Sequence, residues 1–117
     1  MPYTTDAKNL MIDYAASLIT HVSLHTGRPT MEANELSVEP YRRELIRFSL
    51  AEGGEVASER SVRINVPPGV EITHAGFWTA SSGGTMLAWG RVPKRSFRGR
   101  GVYELDLVTL DLNLESE

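Results

Sequence analysis

Residues 71–92 constrain the fold more than any other stretch of this chain. They read Glu-Ile-Thr-His-Ala-Gly-Phe-Trp-Thr-Ala, then Ser-Ser-Gly-Gly, then Thr-Met-Leu-Ala-Trp-Gly-Arg-Val. Two strand-like runs around a short polar loop with two glycines predict a β-hairpin. On the first arm Ile72, His74, Gly76 and Trp78 share one face, and Thr73, Ala75 and Phe77 share the other. On the second, Leu87 and Trp89 oppose Met86, Ala88 and Gly90. Both faces of both arms are largely uncharged, which predicts a strand pair in the middle of the structure, covered on both sides. The two Trp are then its largest buried groups. Gly76 and Gly90 are expected to mark a bulge or a close approach of another backbone.

The remaining segments supply what this hairpin must pack against. Thr5 followed by Asp6 reads as a helix start, a hydroxyl cap and then an acid in the first turn. Leu10, Tyr14 and Leu18 recur at helical spacing, with Met11, Ala15 and Ile19 beside them. This predicts an amphipathic helix over 6–19 that packs on a sheet, its own or a neighbour's. Residues 21–26 alternate as a first strand with Val22 and Leu24 inward, which leaves His21, Ser23 and His25 on a solvent or interface face. Residues 30–39 are expected to form an irregular loop. Residues 41–50 read as a strand with Ile46, Phe48 and Leu50 on one face, residues 55–60 as a turn, and Val62–Val66 as a one-sided antiparallel strand. Pro67-Pro68-Gly69 stops that strand, because proline has no N–H for a ladder. In the last segment Tyr103, Leu105 and Leu107 alternate in one phase, whereas Val108, Leu110, Leu112 and Leu114 alternate in the other. A one-residue change of phase turns side chains to the opposite face, so a bulge or a bend between sheets is expected near residues 107–108. The fold class that results is mainly β. It is an antiparallel β-sandwich over 21–114, jelly-roll-like or a partly open barrel, with one N-terminal amphipathic α-helix.

At 117 residues the chain is expected to be a single domain, 1–117, with enough burial for one core. It has no cysteine, which excludes disulfides and thiolate metal sites. No run approaches the ~20 apolar residues of a membrane span, and the start lacks the pattern of a secretory signal. A soluble protein made in a cytoplasm is expected.

The net charge is −3, but its distribution is more informative. Between residues 91 and 100 lie five basic residues and no acid: Arg91, Lys94, Arg95, Arg98 and Arg100. That leaves seven basic residues against fifteen acidic ones elsewhere. A basic loop over 93–101, with Phe97 in its midst, thus sits on an acidic body. Three readings are open: docking to a subunit or partner, a solvated loop, and a grip on a phosphate backbone. The acids of the last segment (Glu104, Asp106, Asp111, Glu115, Glu117) complement it, which favours docking between repeated copies or to a partner. Arg91, Lys94, Arg95, Phe97, Arg98 and Arg100 are therefore the candidate docking residues.

No other constellation rises to a chemical site. His21 and His25 lack a third metal ligand. His74 reads as a core-edge histidine. No serine sits in a Gly-x-Ser-x-Gly elbow, and no Gly-rich loop precedes a helix. The acid pairs Asp106/Asp111 and Glu52/Glu55 read as outward-facing. No enzyme, no cofactor and no metal is expected.

A resemblance adds to this reading. Val22-Ser-Leu-His-Thr-Gly27, Ala33-Asn-Glu-Leu-Ser37, Tyr41-x-Arg43 and Phe48 occur in that order. Gly53-Gly54, Val66-Pro67, Thr73-His-Ala-Gly-Phe-Trp78, Ser82-Gly-Gly84 and Leu87-Ala-x-Gly90 follow. The series resembles a family of small tail-fibre-like or minor tail virion proteins of tailed bacteriophages and prophages, from about Leu10 to Val92. Ser37-Val-Glu-Pro40 departs from the glycine-rich pattern expected there, and nothing after Val92 is matched. The resemblance implies a structural module of the virion, homo-oligomeric, without cofactor, docking to other tail or head subunits. Capsid decoration or the base of a fibre is equally within its scope. The alternatives are a module that binds a host-surface glycan or receptor through Trp78, Trp89 or Tyr41, and a nucleic-acid-binding domain.

Overall fold

A computed structural model describes residues 2–29 and 34–112. Helix α1 (Thr5–Leu18) precedes eight strands: β1 (His21–His25), β2 (Glu44–Leu45), β3 (Glu55–Ala57), β4 (Val62–Val66), β5 (Val70–Trp78), β6 (Met86–Phe97), β7 (Gly101–Leu105) and β8 (Thr109–Asp111). Parts of the expected 30–39 loop, and Leu114 with the acidic tail, fall outside the described residues.

The topology follows from one long hairpin. Its tip is the turn between Trp78 and Met86, where Gly83 and Gly84 both take positive φ. Going back from the tip, β5 pairs with β6, β4 with β7 and β3 with β8, each antiparallel and each nested outside the last. The double ribbon changes sheets at paired corners. Val66 faces Gly101 on one side and Val70 faces Phe97 on the other, so Pro67-Pro68-Gly69 and residues 98–100 turn together. Gly69 N–H seals this corner by donating to Phe97 O at 2.7 Å. Gly101 is required here, because a Cβ would lie 2.6 Å from the Phe97 ring. The phase change of the last segment falls between β7 and β8, which belong to different sheets. Folding a long antiparallel ribbon over itself is how a jelly-roll-like sandwich is made, and the fold is mainly β with antiparallel sheets and a single N-terminal helix.

One sheet has the order β2-β1-β5-β6, and the β4-β7 and β3-β8 ladders form the rest of the sandwich. Val22, Leu24, Ile64, Val66 and Ile72 are completely buried, and Phe77, Phe97, Tyr103 and Leu105 complete the same cluster. Strand β4 is buried at alternate residues, as a one-sided strand must be.

Several local expectations differ from what the structure shows. The central hairpin is asymmetric: β5 is interior, whereas β6 is the edge of its sheet and largely exposed. Trp78 is buried and Trp89 only half-buried. Gly76 does avoid a close approach, but to side chains rather than backbone. A Cβ there would lie within 2.9 Å of Ser23 Oγ, His25 Nε2 and Met86 Sδ. Nothing crowds Gly90. Ser23 and His25 are fully buried, because β1 lies between β2 and β5 and its second face is also covered. Of residues 41–50 only Glu44–Leu45 form a strand, and Leu50 is exposed. Residues 55–57, read as a turn, pair with β8.

The basic "loop" is for the most part not a loop. Strand β6 continues to Phe97 because β5 continues to pair with it, through Ile72–Arg95, Glu71–Ser96 and Val70–Phe97. Pro93 is tolerated because β6 is an edge strand and the register shifts between Ile72 and His74, opposite it. Only residues 98–100 turn, before Gly101 opens β7.

Helix α1 is capped by Thr4, one residue before the expected cap: its side chain accepts Ala7 N–H at 3.1 Å. The helix sits the other way round from its apolar stripe. Ile12 faces inward, and polar side chains hold that face to the body. Asn9 Oδ1 accepts Gly54 N–H and Asp13 Oδ1 accepts Ala51 N–H, both at 2.7 Å. Buried backbone donors of the 49–54 turn need acceptors, so they select the side of the helix that carries Asn9 and Asp13. Leu10, Tyr14 and Leu18 are consequently left outside.

Candidate functional site

The basic segment lies along the exposed edge of the sandwich. Arg91, Lys94 and Arg95 are on β6, and Arg98 and Arg100 are at the corner; all five are exposed. Phe97 differs from the expectation. It is 8% exposed and belongs to the core, because at the end of β6 it faces the β4–β5 corner. The Arg95 guanidinium lies over its ring at 4.9 Å. Arg95 therefore stacks on an aromatic that the core holds still. Phe97 thus offers little surface of its own and lies beneath a cation.

Between β6 and the β7–β8 segment runs an open cleft of about 880 Å³. One wall carries Arg91, Lys94 and Arg95, and the opposite wall carries Glu104, Asp106 and Asp111. Its lining is otherwise apolar, from Ile12 in the helix and Ile19 at its C-cap to Phe77, Tyr103 and Leu105. The burial of Tyr103 raises its phenol pKa. The basic and acidic segments thus come to the same side of the molecule, as rims of one cleft.

The second assembly is polar and runs from a partly buried ion pair to a buried base, and sequence reasoning did not find it as a unit. The Glu35 carboxylate meets Arg43 through two bonds, Nη2 to Oε1 at 2.8 Å and Nε to Oε2 at 2.9 Å. Tyr41 OH donates to Glu35 Oε2 at 2.6 Å and accepts Leu24 N–H at 3.2 Å. Arg43 Nη1 reaches the hairpin tip, donating to Ala80 O at 3.1 Å and Gly83 O at 2.9 Å. Its guanidinium stacks 3.6 Å from the centroid of the Trp78 ring. Beneath, Trp78 Nε1–H donates to Ser23 Oγ at 2.7 Å, and Ser23 Oγ lies 2.6 Å from His25 Nε2. This clamp fastens residues 35–43 and β1 to the tip of the long hairpin.

Its electrostatics follow from those contacts. Burial alone would raise the Glu35 carboxyl, but the hydrogen bonds from Arg43 and Tyr41 outweigh it and hold the group below the usual carboxylate range. The Tyr41 phenol is pushed far up by burial and by the carboxylate it donates to. His21 is lowered by burial and by the nearby Arg43 charge.

Ser23 and His25 have the separation of a nucleophile and its base. Both are fully buried, and Ser23 Oγ already accepts the Trp78 indole N–H. A buried, engaged hydroxyl is not presented to solvent as a nucleophile needs to be. His74 is likewise inside, with Nδ1 2.8 Å from Thr73 Oγ1 and its ring against Trp89. Among the described residues no group of His, Asp and Glu is arranged to hold a metal ion, and no helix is long and apolar enough to cross a membrane.

The family model described as podophage GP4 fiber I protein gp80 matches residues 7–106. No curated protein matches the chain. The matched span takes in nearly all of α1, the strands β1 to β7 and the clamp. It also runs past Val92, where the sequence resemblance stopped, so the basic corner lies within the shared module. The chain belongs to this family of phage fibre proteins, structural components of the virion.

Proposed function

We propose that the chain is a repeated subunit of a phage fibre that docks to an acidic surface of a neighbouring virion subunit through Arg91, Lys94, Arg95, Arg98 and Arg100. The observation that carries this reading is the placement of five exposed cations along one sheet edge and its corner, on a chain whose remainder is acidic. Cations on an exposed rim guide encounter and fix register, and they respond to salt. Arg95 has the further advantage of a stacked, oriented guanidinium.

The glycan-binding alternative needs aromatic platforms facing solvent. Trp78 is 3% exposed and covered by Arg43. Trp89 lies between His74 and Arg28, and the Tyr41 hydroxyl is engaged by Glu35 and Leu24. These positions favour docking over glycan stacking.

The test reverses three charges together, as Arg95→Glu, Arg98→Glu and Arg100→Glu. Exposed positions each change stability by about 0.5 kcal/mol or less, so the variant is expected to fold normally by circular dichroism. It is expected to be missing from particles when it is supplied in place of the wild-type chain. Normal incorporation of the folded variant would overturn the proposal.

A further inference from the structure

The outer face of α1 is apolar and faces water. Tyr3, just before the cap, is 68% exposed, Leu10 73% and Tyr14 70%, with Leu18 and Met11 at 41% and 38%. On a helical wheel Leu10, Tyr14, Leu18 and Met11 fall within an arc of about 100°, the width of stripe a helix normally turns to a core. The opposite face is the one the body holds, through Asn9, Ile12 and Asp13. The helix is therefore anchored by hydrogen bonds on one side and offers a complete packing face on the other.

We infer that this face is where a second copy of the chain docks, helix against helix. The inference rests on the proposal above that the chain is a repeated fibre subunit, and it names the surface that joins the copies. Two features select a like helix as the occupant. Leu10, Tyr14 and Leu18 follow one another at intervals of four residues, the row of side chains that packs into the groove of a facing helix, with Ala7 and Met11 beside it. The stripe also carries no charge, so it is complementary to itself and offers nothing to an acidic or basic partner.

The area is sufficient. Two tyrosines about seven-tenths exposed, with Leu10, Leu18 and Met11, present roughly 500 Å² per copy. Two copies joined through this face would cover roughly 1,000 Å² in all, the lower bound for a specific interface. The tyrosine hydroxyls suit the rim of such a contact, where one end of the ring is dry and the other wet.

The test is sedimentation equilibrium of the full chain from about 1 to 100 µM, beside a Leu10→Glu/Tyr14→Glu variant. Both residues are exposed in the single chain, so the variant retains its circular dichroism and thermal transition. The wild-type chain is expected to show concentration-dependent mass above that of one chain, and the variant the mass of one chain with at least a tenfold weaker association. A wild-type chain of single mass throughout, or a variant that associates as the wild type does, overturns the inference. Exclusion of this variant from particles while the wild-type chain is monomeric alone would also overturn it, assigning the face to another virion protein. The charge-reversal variant above is expected to self-associate normally, so loss of docking and loss of self-association are read separately.

Discussion

Trp78→Ala is expected to lower the free energy of unfolding by about 3–5 kcal/mol, the range for removing a large aromatic side chain from a core. Three losses coincide at this position. The cavity left behind lies next to Gly76, where the packing already excludes a Cβ. Ser23 Oγ loses the indole N–H that it accepts at 2.7 Å, and so remains a buried hydroxyl with one partner fewer. Arg43 loses the ring 3.6 Å beneath its guanidinium. A urea titration followed by circular dichroism measures the effect. Trp78→Phe is expected to recover roughly half of it, because the ring returns without the N–H donor. Equal stability of Trp78→Ala and the wild type would show that this side chain is not part of the core.

The second large effect is expected at Arg43. Its side chain is 8% exposed, and it ties together a carboxylate, two backbone carbonyls of the hairpin tip and an aromatic face. Arg43→Met removes the cation but leaves Glu35 charged and partly buried. Breaking a buried pair from one side costs about 3–5 kcal/mol. The lower end, about 3 kcal/mol, is expected here because Glu35 keeps a fifth of its side chain in water. Arg43→Met/Glu35→Leu is expected to recover a large part of that loss, since the uncompensated charge is gone. The double-mutant cycle measures the coupling.

The same contact sets a pH dependence. The Glu35 carboxyl titrates lower in the folded chain than in the unfolded one. The stability it contributes is therefore fully present above the unfolded value of about 4.3, and it is lost as pH falls through the folded value. Thermal midpoints of the wild type and Glu35→Gln are expected to differ by a constant amount above about pH 5 and to converge in acid. A difference that persists unchanged to pH 2 would show that the carboxylate contributes nothing through its charge.

Much of the β framework was legible in the residues. Strand β4 announces itself through Val62, Ile64 and Val66, because one wet and one dry face force a two-residue period. The hairpin was marked by Ser81–Gly84 between two apolar runs, and the final change of sheet by the phase break before Val108. Strand β3 was hidden, since three residues are too few to show a period, and it forms only because β8 lies opposite. The clamp was hidden for a related reason. Glu35, Tyr41, Arg43, Gly76 and Trp78 all belong to the motif series that carries the family resemblance, yet nothing in their spacing says that they meet. Contacts between residues so far apart along the chain are produced by the fold.

The candidate docking residues show the same division. Five cations between residues 91 and 100 are a property of composition and are readable directly. Whether they stand on a flexible loop or a paired strand depends on how far β5 continues beside them, and Phe97 is buried only because the ribbon bends there.

Helix α1 separates the two levels most clearly. The sequence by itself determined that residues near 6–19 form a helix with a continuous apolar stripe, because capping and periodicity are local. It also determined that a hairpin lies at 71–92, that cations gather after it and that no thiol chemistry is available. Only the tertiary structure decided which side of the helix turns inward. The choice is made by the N–H groups of Ala51 and Gly54, which take Asp13 and Asn9 as acceptors and so leave Leu10 and Tyr14 in water. Periodicity shows that a helix has an apolar face, but the direction of that face depends on hydrogen-bond partners that the folded chain brings together.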